Sequence, residues 1–434
     1  MNFICDNISV NKQGELTFAG HSTVELASRY GTPLYLMDEN RIRHNCRIYS
    51  AAFKKYFPEG SMPIYAGKAN CFMQLCRIMH EEGMGIDVVS CGEIYTVRQS
   101  GYDMSLVFFH GNNKTDADIA YAMDSNVGYF VIDNIEEADA MEAQAASRGI
   151  IQKALLRITP GIDPHTYEAI STGKVDSKFG NAIETGQAER LVESILKSEH
   201  IRLQGFHCHV GSQVFTEDVF ERTCEVMLQF ISDMCSKFGY MAKCLNLGGG
   251  FGTRYVRDEP RIDITKKISD VATVLNGTCR KLGIPAPVIF MEPGRSIVAD
   301  AGMTLYSAGS LKCIPGYKNY VSVDGGMTDN PRFALYGSKY TCYNASRMNE
   351  HANLECSVVG RCCESGDIIA EHIMMPESTA RKDIIAVCTT GAYNYSMASN
   401  YNRLPRPALV MLKDGDSYIG VKRETVEDVT RLDV

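Results

Sequence analysis

The sequence predicts an α/β chain: a (β/α)8, TIM-like barrel joined to a second, all-β domain of sandwich or barrel type. Three observations lead there. Between about residues 60 and 292, eight short apolar runs alternate with helix-like stretches. Polar side chains with chemical capability cluster immediately after those runs, and a parallel barrel gathers its functional groups at the C-terminal ends of its strands. From about residue 297 the segments "YVSVDGG", "LECSVVGRCCESGDIIA", "DIIAVCTTGAY" and "PALVMLKDGDSYIGVKR" are β-rich, with turn residues between them. An open, doubly wound sheet is the alternative that the same alternation allows.

Along the chain, the first 35 residues, with "GELTFAG" and "ELASRYGTPLYLM", lie outside the barrel rhythm and are expected to add strands to the β domain. The barrel is therefore placed at 36–296 and the β domain at 1–35 and 297–434. The first run, 62–66, leads to Lys68 within "IYAGKAN"; the helix expected next, 71–82, repeats Phe72, Leu75, Cys76 and Met79 at helical spacing. The second run, 86–89, carries Asp87 and leads to Ser90. The third and fourth are 106–109 and 128–132, followed by a helical stretch over 135–148. The fifth, 154–158, carries Arg157, and the sixth, 203–207, leads to His209 and Ser212. The seventh, 244–247, opens into Gly248-Gly249-Gly250-Phe251-Gly252. A helix over 262–282 precedes the eighth run, 288–291, which ends in Glu292-Pro293-Gly294-Arg295.

At 434 residues the chain exceeds one ordinary core, which again points to two domains. Its 45% hydrophobic and 22% charged residues are those of a globular protein with a large core. A net charge of −8 without a dense Lys/Arg block argues against a nucleic-acid surface. No apolar run reaches the ~18 residues of a membrane span, and the opening residues lack the basic stretch and apolar core of a secretory signal. The 16 cysteines include no CxxC pair and read as reduced thiols, not as a disulfide framework or zinc ribbon. The expectation is a cytoplasmic chain with neither nucleic-acid nor membrane partners.

The residues after the runs carry the chemistry. Lys68 reads either as a solvent-facing strand end or as a Schiff-base lysine activated by its surroundings. "LNLGGGFG" is neither a Walker loop nor a dinucleotide fingerprint; it is a tight loop or a cradle whose backbone N–H groups approach a phosphate. Glu292 is a strand-end carboxylate paired with Arg295, or the partner of a protonated ring nitrogen. His209 is a core histidine, or an imidazole stacked on a flat cofactor. His207 and His209 offer an HxH pair, but no further ligands are evident and no metal is expected. A lysine, a phosphate cradle and a ring-nitrogen carboxylate are together what pyridoxal phosphate requires of a protein.

Ten segments reinforce this: "YAGKAN", "DVVSCGE", "FHGNNK", "STGKVDSKFG", "HCHVGSQ", "LGGGFG", "EPGRSIVADAG", "DNPRFALYG", "CESGD" and "TGAYNYSMASNYN". In this order, over nearly the whole chain, they resemble the barrel-type pyridoxal-phosphate decarboxylases of basic amino acids, and within them those acting on meso-2,6-diaminopimelate. The resemblance implies that Lys68 holds pyridoxal 5'-phosphate covalently, Glu292 keeps the pyridine nitrogen protonated and His209 stacks on the ring. Gly249, Gly250, Ser212 and the loop through Gly294 and Arg295 would hold the phosphate, with Asp87, Arg157 and Tyr393 also at the cofactor. Arg295, Arg332, Tyr336 and Tyr393 would bind substrate. Cys363 would donate a proton and Glu364 would read the substrate, both from the second subunit of a homodimer. Cys362 leaves open which thiol is presented; Cys363 is preferred because it directly precedes "ESGD". Arg332 and Tyr336, four apart, share a face if their segment is helical.

Two departures from the family pattern concern backbone shape: Gly67 stands where a bulkier residue is common, and Phe333 where proline is frequent. A sister decarboxylase for ornithine, arginine or carboxynorspermidine would share the cofactor residues. A non-catalytic regulatory relative would have lost the lysine or the thiol, and both are present.

Overall fold

The apolar runs form strands because both of their faces are covered, as in a barrel wrapped by helices. In the computed structural model, which describes residues 3–162, 177–215 and 218–434, the barrel strands are β1 (Met62–Ala66), β2 (Gly85–Val88), β3 (Val107–Phe109), β4 (Tyr129–Ile132), β5 (Gln152–Thr159), β6 (Ile201–His207), β7 (Cys244–Asn246) and β8 (Val288–Met291). Each pairs in parallel with the next, and β8 returns to β1 through Phe290 opposite Met62, so the sheet closes. The expected (β/α)8 barrel is therefore the observed fold, and the open-sheet alternative is excluded.

The helices between strands start where local chemistry satisfies their first N–H groups. Ser90 caps Cys91–Gln99, Thr115 forms a capping box on Asp116–Asp124, Asn134 caps Ile135–Arg148 and Asp263 caps Ile264–Leu282. The helix expected over 71–82 spans Met73–Glu81, with Leu75, Cys76 and Met79 buried.

Alternation then sets the level of the chemistry. Residues two apart on a strand share a face. Ile64, Phe108, Val131, Leu155, Cys244 and Phe290 form one apolar cluster within the barrel unit. Two positions further along the same runs stand Ala66, His110, Asp133, Arg157, Asn246 and Glu292. The ladder continues far enough to hold that register: the His110 N–H donates to the Val88 carbonyl and the Glu292 N–H to the Gly248 carbonyl, both at 2.8 Å. An apolar layer is thus capped by a polar one.

The chain divides into two units, one of residues 45–252 and 262–294 containing the barrel, the other of 1–44, 253–261 and 295–434. The second unit holds a mixed sheet in the order Ile368–Pro376, Ala352–Val359, Lys318–Val323, Gly302–Ile314, Leu34–Asp38, Ala408–Lys413, Asp416–Val421. Two of its pairings are parallel, Leu34–Asp38 with Ala408–Lys413 and Lys318–Val323 with Ala352–Val359. The helix Thr23–Tyr30 contributes Leu26 and Ala27 to a core that also contains Leu16, Leu36, Leu305, Ala386 and Val410.

Candidate active site

Lys68 follows β1 in a single tight turn, Gly67–Ala69. The turn is fixed from several sides. The Gly67 N–H donates to Asp87 Oδ1 (2.9 Å), the Tyr65 hydroxyl donates to the Asn70 carbonyl (2.9 Å), and the Ala66 N–H donates to the Pro293 carbonyl (3.0 Å). Gly67 and Ala69 are buried while the Lys68 side chain between them is exposed. This also explains the small residue before the lysine: a Cβ at position 67 would lie 2.5 Å from the Asp87 carbonyl oxygen. Gly294 meets the same turn, and a Cβ there would come within 2.7 Å of the Ala66 Cβ. Burial pushes the Asp87 carboxyl up to about 6, and the nearby charge of Glu292 adds to the effect.

Glu292 is buried at the end of β8. Asn246 Nδ2, from the end of β7, donates to its Oε1 at 2.7 Å, and His207 Nε2, from the end of β6, bonds its Oε2 at 3.2 Å. His110 Nε2, just past β3, stands 3.0 Å from Oε1 but out of line for a directed hydrogen bond. The ligand atoms of His110, His207 and Glu292 all lie within 4.8 Å of one another. Burial opposes ionisation of Glu292, but the two imidazoles outweigh it and hold the carboxyl well below the usual range.

Arg157, buried at the end of β5, lies over the Phe179 ring at 4.4 Å with its Nε 4.0 Å from Asp133. The Gly180 N–H donates to Asp133 at 3.0 Å. Of the segment 171–180, residues 171–176 lie outside the described residues.

The glycine loop after β7 closes against β6 and β8. A Cβ at Gly249 would overlap the Glu292 carbonyl oxygen, and one at Gly250 the Gly211 carbonyl oxygen. Only glycine admits such backbone approach. The Gly249 N–H donates to His209 Nδ1 at 3.2 Å, so that nitrogen accepts and the proton belongs on Nε2. His209 is half-buried as a residue, and burial, aided by the Lys68 and Arg157 charges, pushes its pKa well below the ordinary value. Ser212 is half-buried, and nearby the Val214 N–H bonds the Gly250 carbonyl at 2.9 Å.

The second unit assembles its own group. Arg295 is buried, donates to the Tyr255 hydroxyl at 2.8 Å and lies 4.6 Å from the Tyr393 ring centre. Arg332, also buried, lies 5.1 Å from the same ring and 5.5 Å from that of Tyr336, which is 43% exposed. The segment Arg332–Tyr336 is helical, so the two share a face as expected. Tyr393 sits at φ 70°, a region that non-glycine residues rarely occupy and that accumulates at functional sites.

Cys363 and Glu364 are exposed in the loop between Ala352–Val359 and Ile368–Pro376. Their bonds run within that loop and to Asn402, whose Oδ1 accepts the Cys363 N–H at 2.8 Å. Cys362 is turned inward, and burial, reinforced by Asp367, pushes its thiol up to about 11. Asp367 anchors the loop by accepting the N–H groups of Met327 (2.6 Å) and Cys362 (2.7 Å).

Lys68, Asp87, Arg157, His209, Ser212, Gly249, Gly250, Glu292 and Gly294 thus all lie at or just beyond barrel strand ends, and Arg295, Arg332, Tyr336 and Tyr393 form one cation–aromatic group. His110, Asn246 and Asp133 were not singled out from sequence, and His207 was read only as half of an HxH pair. The available signal was the polar residue two positions after the last inward-facing apolar residue of each run.

Known proteins match this arrangement. Residues 40–299 fit the family model described as pyridoxal-dependent decarboxylase, pyridoxal binding domain. The diaminopimelate decarboxylase of Bacillus subtilis (strain 168) is 42% identical over 424 residues, covering 98% of this chain and 96% of that protein. That of Staphylococcus aureus (strain COL) is 41% identical over 422 residues, covering 97% and 98%. A crystal structure of the M. jannaschii diaminopimelate decarboxylase in co-complex with L-lysine superposes with a TM-score of 0.90 at 31% identity, covering 99% of this chain and 98% of that one. With a barrel that ends in this lysine, this glycine loop and this clamped carboxylate, the chain belongs to the diaminopimelate decarboxylase family of pyridoxal-dependent decarboxylases.

Proposed function

We propose that this chain decarboxylates meso-2,6-diaminopimelate to L-lysine and carbon dioxide, the last step of lysine biosynthesis, using pyridoxal 5'-phosphate. The observation that carries the reading is a lysine in a rigid turn after the first strand of a closed barrel whose eighth strand ends in a buried, ionised carboxylate. The residues present fit the cofactor. Lys68 offers an exposed amine, the Gly249–Gly250 loop packs tightly against neighbouring backbone as only glycine allows and is assigned to the phosphate, and Glu292 suits a cationic ring nitrogen. His209, held neutral, presents an uncharged ring for stacking. Asp87, Arg157, Ser212, Gly294, Arg295 and Tyr393 complete the assigned set.

The substrate carries two carboxylates and two ammonium groups, so its site needs both arginine and carboxylate. Arg295 and Arg332, with Tyr336 and Tyr393, are assigned to the carboxylates and Glu364 to the distal ammonium. Pyridoxal phosphate, when bound, supplies a conjugated ring that takes up the electron pair left as carbon dioxide departs. Glu292 keeps the ring nitrogen charged, and the Cys363 thiol returns one proton to the α-carbon and is itself reprotonated from water.

The exposure of Cys363 and Glu364 supports a working homodimer in which each copy lends this loop to the other. Among the described residues no helix is long and apolar enough to cross a membrane, and a cytoplasmic location is part of the proposal. The test is the purified chain with pyridoxal phosphate and a panel of meso-diaminopimelate, ornithine, arginine and carboxynorspermidine, scored by released carbon dioxide and by lysine. Lysine from meso-diaminopimelate alone is expected; preferential carbon dioxide release from another member would contradict the substrate assignment. Cys363→Ala is expected to retain cofactor and lose roughly a hundredfold in kcat, whereas Cys362→Ala should stay within a few-fold of wild type. The reverse order would assign the proton to Cys362.

A further inference from the structure

Glu292 is held by donors that the cofactor reading does not use. Each of its oxygens receives one directed bond, from Asn246 and from His207, on neighbouring strands where these two residues are register partners. We propose that His207, with Asn246, is the positioning element that keeps Glu292 an ionised carboxylate of fixed orientation while leaving its charge to be matched by a cationic ring nitrogen. The inference rests on the pyridoxal phosphate reading above.

The orientation of both donors follows from their other bonds. Asn246 Oδ1 accepts the Gly248 N–H at 2.9 Å, which turns the Nδ2 donor toward Glu292; the flipped amide would set acceptor against acceptor at Glu292 and donor against donor at Gly248. His207 Nδ1 is buried with no hydrogen-bond partner among the described residues. A proton there would be an orphaned donor, which costs more than an unused lone pair, so the single proton resides on Nε2 and points at Glu292. Burial pushes His207 down to about 4, in agreement with a neutral ring.

The clamp therefore supplies dipoles and no full charge. A lysine or arginine in the same place would have neutralised Glu292 internally. Two neutral donors stabilise the anion and leave it a net negative charge in a buried site, and a buried charge demands a counter-charge. A protonated Glu292 does not suit the same clamp, because both of its oxygens already face donors. Among the described residues, the other charged or titratable groups facing the carboxylate are His110, Arg157, Asp87, His209 and the Cys208 thiol, which burial and Glu292 push up and so hold neutral. Arg157 has Asp133 as its own partner, and His209 is neutral.

The experiment loads wild type, His207→Phe, His207→Gln and Asn246→Asp with pyridoxal phosphate isotopically labelled at the ring nitrogen. It reads the NMR shift of that nitrogen and the cofactor dissociation constant. Gln restores an N–H donor at about the reach of the imidazole. Asn246→Asp keeps the volume and the bond from Gly248 but sets two carboxylates in contact, which cannot both stay ionised. The expected result is a cationic nitrogen in wild type and His207→Gln. His207→Phe and Asn246→Asp should shift it toward the neutral form and weaken cofactor binding about tenfold or more. A cationic shift and unchanged dissociation constant in both would overturn the proposal. Should His207→Phe fail to fold, Asn246→Asp alone decides. Failure of wild type to take up the cofactor would overturn the reading beneath the proposal, and the proposal with it.

Discussion

Lys68→Ala is expected to lose the visible absorbance of lysine-bound pyridoxal phosphate and to lower kcat by roughly a thousandfold or more. The size follows from position. Lys68 is the one side chain of its turn that faces outward, since Gly67 and Ala69 are packed against their neighbours. The turn is pinned by Asp87, by the Tyr65 hydroxyl and by the Pro293 carbonyl, so the amine is presented from a rigid base. No other lysine occupies that turn to take over. Because the side chain is exposed, removing it leaves the apolar layer beneath intact, and the melting temperature is expected to change little. A variant that retained both the absorbance and a tenth of wild-type turnover would contradict the assignment.

Glu292→Gln is expected to keep cofactor attached at Lys68 yet to lose roughly a hundred- to a thousandfold in kcat. The amide preserves volume but removes the buried anion. It also presents an N–H where His207 and Asn246 both donate, so one of these bonds must break or a histidine proton must move to its other nitrogen. Absorbance and turnover together separate this variant from Lys68→Ala: the first should hold while the second falls. Turnover within tenfold of wild type would show that the charge on Glu292 is not needed.

The eight strands were legible because a strand buried on both faces must be apolar throughout, and such runs stand out between amphipathic helices. Their ends were less sharp. The sixth run, read as 203–207, extends to Ile201–His207, and the seventh, read as 244–247, stops at Asn246. Apolar continuity does not reveal where ladder hydrogen bonds begin and end. This is also why His207 and His209 were read together. Residues two apart share a face only while the strand persists, and it ends at His207, so His207 turns to Glu292 while His209 turns to the glycine loop.

Glu292 was visible as a charge closing an apolar run. Its clamp was not, because Asn246 hides inside "CLNL" and its partners come from strands dozens of residues away. In "CESGD" the thiol of Cys363 drew attention, whereas Asp367 is the residue that anchors the loop and Cys362 the thiol turned away. Burial direction is a property of the folded loop and leaves no trace in two adjacent cysteines.

The most direct test is to incubate the purified chain with pyridoxal phosphate, reduce it with borohydride, digest it and locate the modified residue by mass spectrometry. A phosphopyridoxyl group on Lys68, and its absence from Lys68→Ala, is the predicted result. Attachment at a different lysine, or no attachment at all, would contradict the account.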